Sequence, residues 1–106
     1  MLDIYTDALA IVRTLVPVVE AIRRKQPSLA DQLDRAADST VLGIAEGSRS
    51  VGKSRALHYS RGGASMDEAI ACVDLALAKG HIAAFDHATR ERMRKVVGTL
   101  IKARQA

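Results

Sequence analysis

Tryptophan is absent from this sequence of 106 residues, and only Tyr5, Tyr59 and Phe85 are aromatic. A sandwich or barrel core draws on aromatic and β-branched side chains at alternating positions, so an all-β fold is disfavoured. The single cysteine, Cys72, excludes an intrachain disulfide and fits a reducing compartment. No apolar run is long enough to span a bilayer. Asp3 and Asp7 stand where an export signal carries positive charge, so a cytoplasmic location without membrane contact is expected. What is plentiful is Ala, Leu, Val and Ile. Hydrophobic residues fill 48% of the chain, too many for disorder, and the set leans toward helix rather than sheet. A chain this short holds one core, so residues 1–106 are expected to form a single domain.

The net charge of +4 is uneven. Residues 49–61 carry Arg49, Lys53, Arg55 and Arg61 without an acid, and residues 86–106 carry six bases against Asp86 and Glu91. The segments 1–48 and 62–85 are each mildly acidic. Alternation of this kind permits a polyanionic partner without requiring one.

Hydrophobic periodicity predicts four helices. The first spans about residues 3–25, with Pro17 expected to bend it and Arg23, Arg24 and Lys25 complementing its C-terminal dipole. Ile4, Tyr5, Ala8, Leu9, Ile11, Val12, Leu15, Val16, Val18, Val19 and Ile22 occupy more of its circumference than one buried stripe needs. Ser28 and Asp31 resemble a capping box for a second helix that ends near Gly47, with Leu29, Leu33, Ala36, Ala37, Thr40, Val41 and Ile44 inward. After a Gly/Ser/basic loop, a third helix runs from about Lys53 to Lys79, with Gly80 as its C′ residue. Gly62 and Gly63 in its middle each cost roughly 1 kcal/mol relative to alanine, which predicts a neighbouring backbone close by. Asp86 caps a fourth helix to about Arg104, with Met93, Val96, Val97, Leu100 and Ile101 on its apolar face. Short connections favour an all-α, antiparallel up-down-up-down four-helix bundle. The apolar excess on helices 1 and 3 predicts a homo-oligomer, with Ile11, Leu15, Val19, Gly62, Gly63, Met66, Ile70 and Leu77 as candidate interface or core positions.

Gly47-Ser48-Arg49-Ser50-Val51-Gly52-Lys53-Ser54 satisfies the G-x-x-x-x-G-K-[ST] pattern of a phosphate-binding loop. Such a loop needs a buried strand before it and a parallel sheet around it. Thr40 to Ala45 passes for a strand in isolation, but nothing else in the chain does, so a nucleotide-hydrolysing reading is set aside. A weaker form of the idea places a phosphate or sulfate at the loop and the third helix's N-terminus. His58, His81 and His87 lack metal-ligand spacing. Cys72 reads as packing, and Glu46 is expected to be partly buried in an ion pair with Arg49, Arg55 or Arg61.

Ile44-Ala45-Glu46-Gly47 lies near the end of the second helix, after Asp34-Arg35-Ala36-Ala37-Asp38-Ser39. A basic loop follows, then Arg61-Gly62-Gly63-Ala64-Ser65-Met66-Asp67-Glu68. The whole resembles a bacterial four-helix-bundle family first known from intervening sequences in large-subunit ribosomal RNA genes. The accessory variability proteins of diversity-generating retroelements are similar to that family. The resemblance covers about residues 3–104 and is sharpest over 35–80. It implies an up-down bundle assembled as a homopentamer, without enzymatic activity or a cofactor. In the retroelement members it also implies a reverse transcriptase partner and nucleic-acid binding through basic surface. Family members often carry Asn where this chain has Gly43, and many have aromatic residues where Ala56, Leu57, His58 and Tyr59 stand.

Three functions follow as expectations. The first is a homo-oligomeric scaffold that binds RNA, DNA or a nucleoprotein through Arg49, Lys53, Arg55, Arg92, Lys95 and Lys102, by phosphate contact rather than base readout. The second is a protein-interaction module whose partner is encoded nearby, a reverse transcriptase gene alongside favouring the retroelement role. The third is an enzyme built on the glycine-rich loop and Glu46, for which nucleotide binding abolished by Lys53→Ala is the test.

Overall fold

The computed structural model describes residues 3–105. Met1, Leu2 and Ala106, part of the expected single domain, lie outside the described residues. The described residues fold as four α-helices: α1 (Ile4–Arg23), α2 (Pro27–Ser48), α3 (Gly52–Ala78) and α4 (His87–Gln105). Each helix packs on the next, and α4 closes back onto α1. The helices alternate in direction, forming a bundle of about 42 × 24 × 19 Å. No strand occurs among the described residues, and Thr40 to Ala45 lies within α2.

The buried stripes follow a 3.6-residue period. On α1 they are Ile4, Ala8, Ile11, Leu15, Val19 and Ile22; on α4, Met93, Val96, Val97 and Leu100. Pro17 lies on the solvent side of α1, and the helix is continuous through it.

The helix ends have assignable causes. Pro27 occupies the first turn of α2 after Gln26, so Ser28 is inside the helix and the expected capping box does not form. Gln26 instead accepts a hydrogen bond through Oε1 from Lys79 Nζ at 3.0 Å and stands 2.9 Å from His81 Nε2, tying the α1–α2 turn to the end of α3. Gly80 takes the left-handed conformation (φ 74°) expected of it. The His81 N–H donates to the Ala76 carbonyl at 2.8 Å and the Gly80 N–H to the Leu77 carbonyl at 3.1 Å, a Schellman ending. Asp86 caps α4 as expected: its Oδ2 accepts from the Thr89 hydroxyl at 2.7 Å and the Thr89 N–H at 3.0 Å.

The expected close backbone is found at Gly62, where its counterpart is Gly43, whereas Gly63 meets only the Leu100 side chain. A methyl group on Gly43 would lie 3.0 Å from the His58 carbonyl oxygen and 3.1 Å from the Gly62 Cα. Helices α2 and α3 therefore approach almost backbone to backbone at this level, which a larger residue at 43 prevents. From the other side, Leu100 of α4 covers Gly62 and Gly63. One turn on, the Tyr59 ring lies against Gly47, where a methyl group would overlap it, and the Tyr59 hydroxyl meets Ser48 Oγ at 3.3 Å.

Candidate functional site

The close crossing of α2 and α3 shapes the outer face of the pair. Ser39, Leu42, Gly43 and Glu46 recur at three- and four-residue spacing on α2, and His58, Arg61 and Ser65 do so on α3. With glycine at the crossing, the side chains on either side flank an open groove of about 420 Å³, lined by these residues and Ala64. Glu46 Oε2 stands 3.5 Å from His58 Nδ1 across it. Arg61 is exposed and, like Ser39 and Ser65, has no side-chain partner among the described residues.

Leu42 is 57% exposed and forms the crest of this groove. It also borders a second one, of about 300 Å³, between α1 and α2, lined by Leu9, Val12, Asp38 and Val41. Val16, also 57% exposed, follows Val12 by one turn on the same side of α1. In this apolar setting burial pushes the Asp38 carboxyl above the ordinary range, and the nearby Asp34 charge adds to the shift. One charged groove and one apolar groove thus share a leucine crest.

No family model, curated protein or solved structure matches this chain. Its surface has to be read from its own chemistry.

The six basic residues singled out from the sequence do not form one patch. Arg49 and Lys53 are exposed where α2 turns into α3. Arg55 lies beside them, but its Nε donates to the Ser50 carbonyl at 2.8 Å and the Gly47 carbonyl at 3.2 Å, so it also closes the turn. Lys102 belongs to the same end of the bundle, at the C-terminal part of α4. Lys95 is further down α4 and pairs with Asp7 of α1 at 3.4 Å. Arg92 is one turn beyond, with the Asp86 carboxylate within its field.

The phosphate-loop reading meets a physical obstacle. Gly47 and Ser48 are the last residues of α2, and the N–H groups of Arg49 and Ser50 donate to the Glu46 and Gly47 carbonyls at 3.2 Å. Amides turned back onto a helix end do not cradle a phosphate. The turn itself is only Arg49–Val51, shorter than the loop expected, with Gly52 at φ 58° starting α3.

The partner of Glu46 also differs from expectation. The carboxylate is exposed and faces His58 rather than an arginine, and Arg55 is held by the turn. Ile44, Ala45 and Gly47 of the same motif are buried.

Ile11, Leu15, Val19, Gly62, Gly63 and Met66 are all buried inside the single chain, so their role is core. Ile70 and Leu77 are half-buried and pack against that core. The apolar excess expected on α3 reduces to Leu57 and Leu75, both about half exposed and far apart along the helix. On α1 it survives at Leu9, Val12 and Val16. Sequence reasoning missed Leu42, which no inward stripe of α2 claimed. Its position one residue from both Val41 and Gly43 was the available signal. Cys72 is buried; burial pushes its thiol up, with Glu68 adding to the effect. Among the described residues, no three His, Cys, Asp or Glu side chains converge to hold a metal ion, and no helix is long and apolar enough to cross a membrane.

Proposed function

We propose that this chain is a non-enzymatic, self-assembling helical scaffold that presents a basic end to a nucleic acid or nucleoprotein. One observation carries the reading: Leu42, more than half exposed, stands between two grooves on adjoining faces, one of them apolar and continued by the exposed Val16. Contiguous apolar surface of this kind is stabilised by a partner that removes it from water. The family resemblance supports the same reading and implies five subunits. Light scattering coupled to size exclusion tests it. Assembly predicts a mass above that of one chain at micromolar concentration, and a monomer at several hundred micromolar overturns it.

The nucleic-acid half rests on Arg49 and Lys53, exposed on an end whose connecting segment carries no acid and which Lys102 shares. Assembly multiplies that charge. Binding of single-stranded RNA or DNA, followed by fluorescence anisotropy, is expected to weaken with a steep linear dependence of log affinity on log salt. The Arg49→Glu, Lys53→Glu double variant is expected to flatten that slope. A flat profile for the wild-type chain removes nucleic acid from the proposal and leaves a protein-interaction scaffold, for which an operon-encoded reverse transcriptase is the partner implied by the resemblance.

A further inference from the structure

The acid-free stretch 49–61 begins at the α2–α3 turn, where Arg49 and Lys53 are exposed, and ends on Arg61 in the charged groove. Arg61 follows Lys53 by eight residues of one helix, or ~12 Å along α3. It is exposed and has no side-chain partner among the described residues. Gly43 lines the same groove without contributing a side chain, which leaves room beside the guanidinium. Ser39 and Ser65 bring two hydroxyls to the lining, also without partners among the described residues.

From this we infer that a single strand of nucleic acid held at Arg49 and Lys53 continues along the α2–α3 groove and seats a further phosphate on Arg61; this rests on the nucleic-acid reading proposed above. A guanidinium takes a phosphate through two parallel N–H donors, and it keeps its charge at any working pH. Serine hydroxyls donate to phosphate or sugar oxygens without adding charge. The groove, about 420 Å³ and open to solvent, suits a chain passing through it. Its lining offers no aromatic stacking platform, so the contact reads phosphate and is expected to be largely indifferent to base order.

Glu46 is the one acid that lines this groove, and its carboxylate stands 3.5 Å from His58 Nδ1. It opposes a polyanion, so the strand binds in spite of it, and removing its charge is expected to tighten binding. The apolar α1–α2 groove offers no such path. Asp38 is the charged residue of its lining and no base accompanies it. The Leu42 crest thus separates a groove suited to phosphate from one suited to subunit contact.

The test is a salt titration of a labelled single-stranded oligonucleotide, followed by fluorescence anisotropy. Arg61→Ala is expected to reduce the slope of log affinity against log salt by about 0.7, the contribution of one phosphate contact on a single strand. Glu46→Gln is expected to raise affinity at least about twofold at low salt. Ser39→Glu puts an acid in the groove ten residues before Arg49, or ~15 Å along α2. That exceeds the Debye length of about 10 Å at 0.1 M salt, so it weakens a strand in the groove at least about threefold and spares one confined to the turn. Lys25→Ala removes an exposed base at the opposite end of the bundle and is expected to leave the slope unchanged. All four side chains are exposed, so these variants are expected to keep the wild-type circular dichroism. Suppose the wild type binds with a steep slope that the Arg49→Glu, Lys53→Glu variant flattens. If Arg61→Ala and Ser39→Glu then leave binding unchanged, or if Glu46→Gln weakens it, the strand stops at the turn, and this inference fails while the nucleic-acid reading stands. A flat wild-type profile overturns both.

Discussion

Gly43 and Gly98 are both helical glycines with opposite consequences. At Gly43 a methyl group meets backbone atoms of α3 at 3.0–3.2 Å, and backbone cannot step aside as a flexible side-chain tip can. Gly43→Ala is therefore expected to push α2 and α3 apart and destabilise the fold by ~1–3 kcal/mol, despite alanine's better helix propensity. Gly98 lies on α4 with nothing within 4 Å of an added methyl group. There propensity acts unopposed, and Gly98→Ala is expected to stabilise by about 1 kcal/mol. Thermal melts read both, at roughly 4–8 °C per kcal/mol for a domain of this size. Equal shifts of the same sign would contradict the close crossing.

Within α4, the terminus is governed by one carboxylate. The Thr89 hydroxyl first, and then its N–H, hold Asp86 below the ordinary carboxylate range near 3.8. Since folding lowers this pKa, the ionised cap stabilises the fold above the unfolded value, and that contribution is lost as pH falls through the folded one. Asn also caps helices but does not ionise. The wild type is thus expected to melt above Asp86→Asn near neutral pH, and the gap is expected to close below about pH 3.8. A gap independent of pH would remove the charge from the explanation. At the same end of the α3–α4 connection, Arg90 in the first turn of α4 pairs with Asp74 of α3 at 2.6 Å and sits 5.7 Å above the Phe85 ring, holding the connection against the bundle.

For the whole molecule, the relevant quantity is apolar surface left exposed after four helices have packed. If copies of the chain bind one another only when folded, mass action couples folding to concentration. The melting temperature is then expected to rise between micromolar and hundred-micromolar protein, and Leu42→Asp is expected to abolish the rise. A melting temperature independent of concentration would argue for a self-sufficient single chain. Binding of a polyanion is expected at the Arg49–Lys53 end rather than over all six bases, because Lys95 is paired with Asp7 across the bundle.

By itself the sequence determined the helices, their approximate ends and the bundle they make, because local periodicity, Gly80 and Asp86 act over a few residues at most. It also located the close approach at Gly62, though not at Gly63, since glycine inside a helix needs an external reason. Only the tertiary structure decided what faces what. Glu46 was legible as an acid seeking a base, yet its neighbour is His58, because the Gly43–Gly62 crossing sets the register between α2 and α3 and the turn holds Arg55. Leu42 was one leucine among many in the sequence. Whether a leucine is core or crest depends on how far its helix is rotated against two neighbours, and that rotation is a property of the packed bundle, not of any one segment.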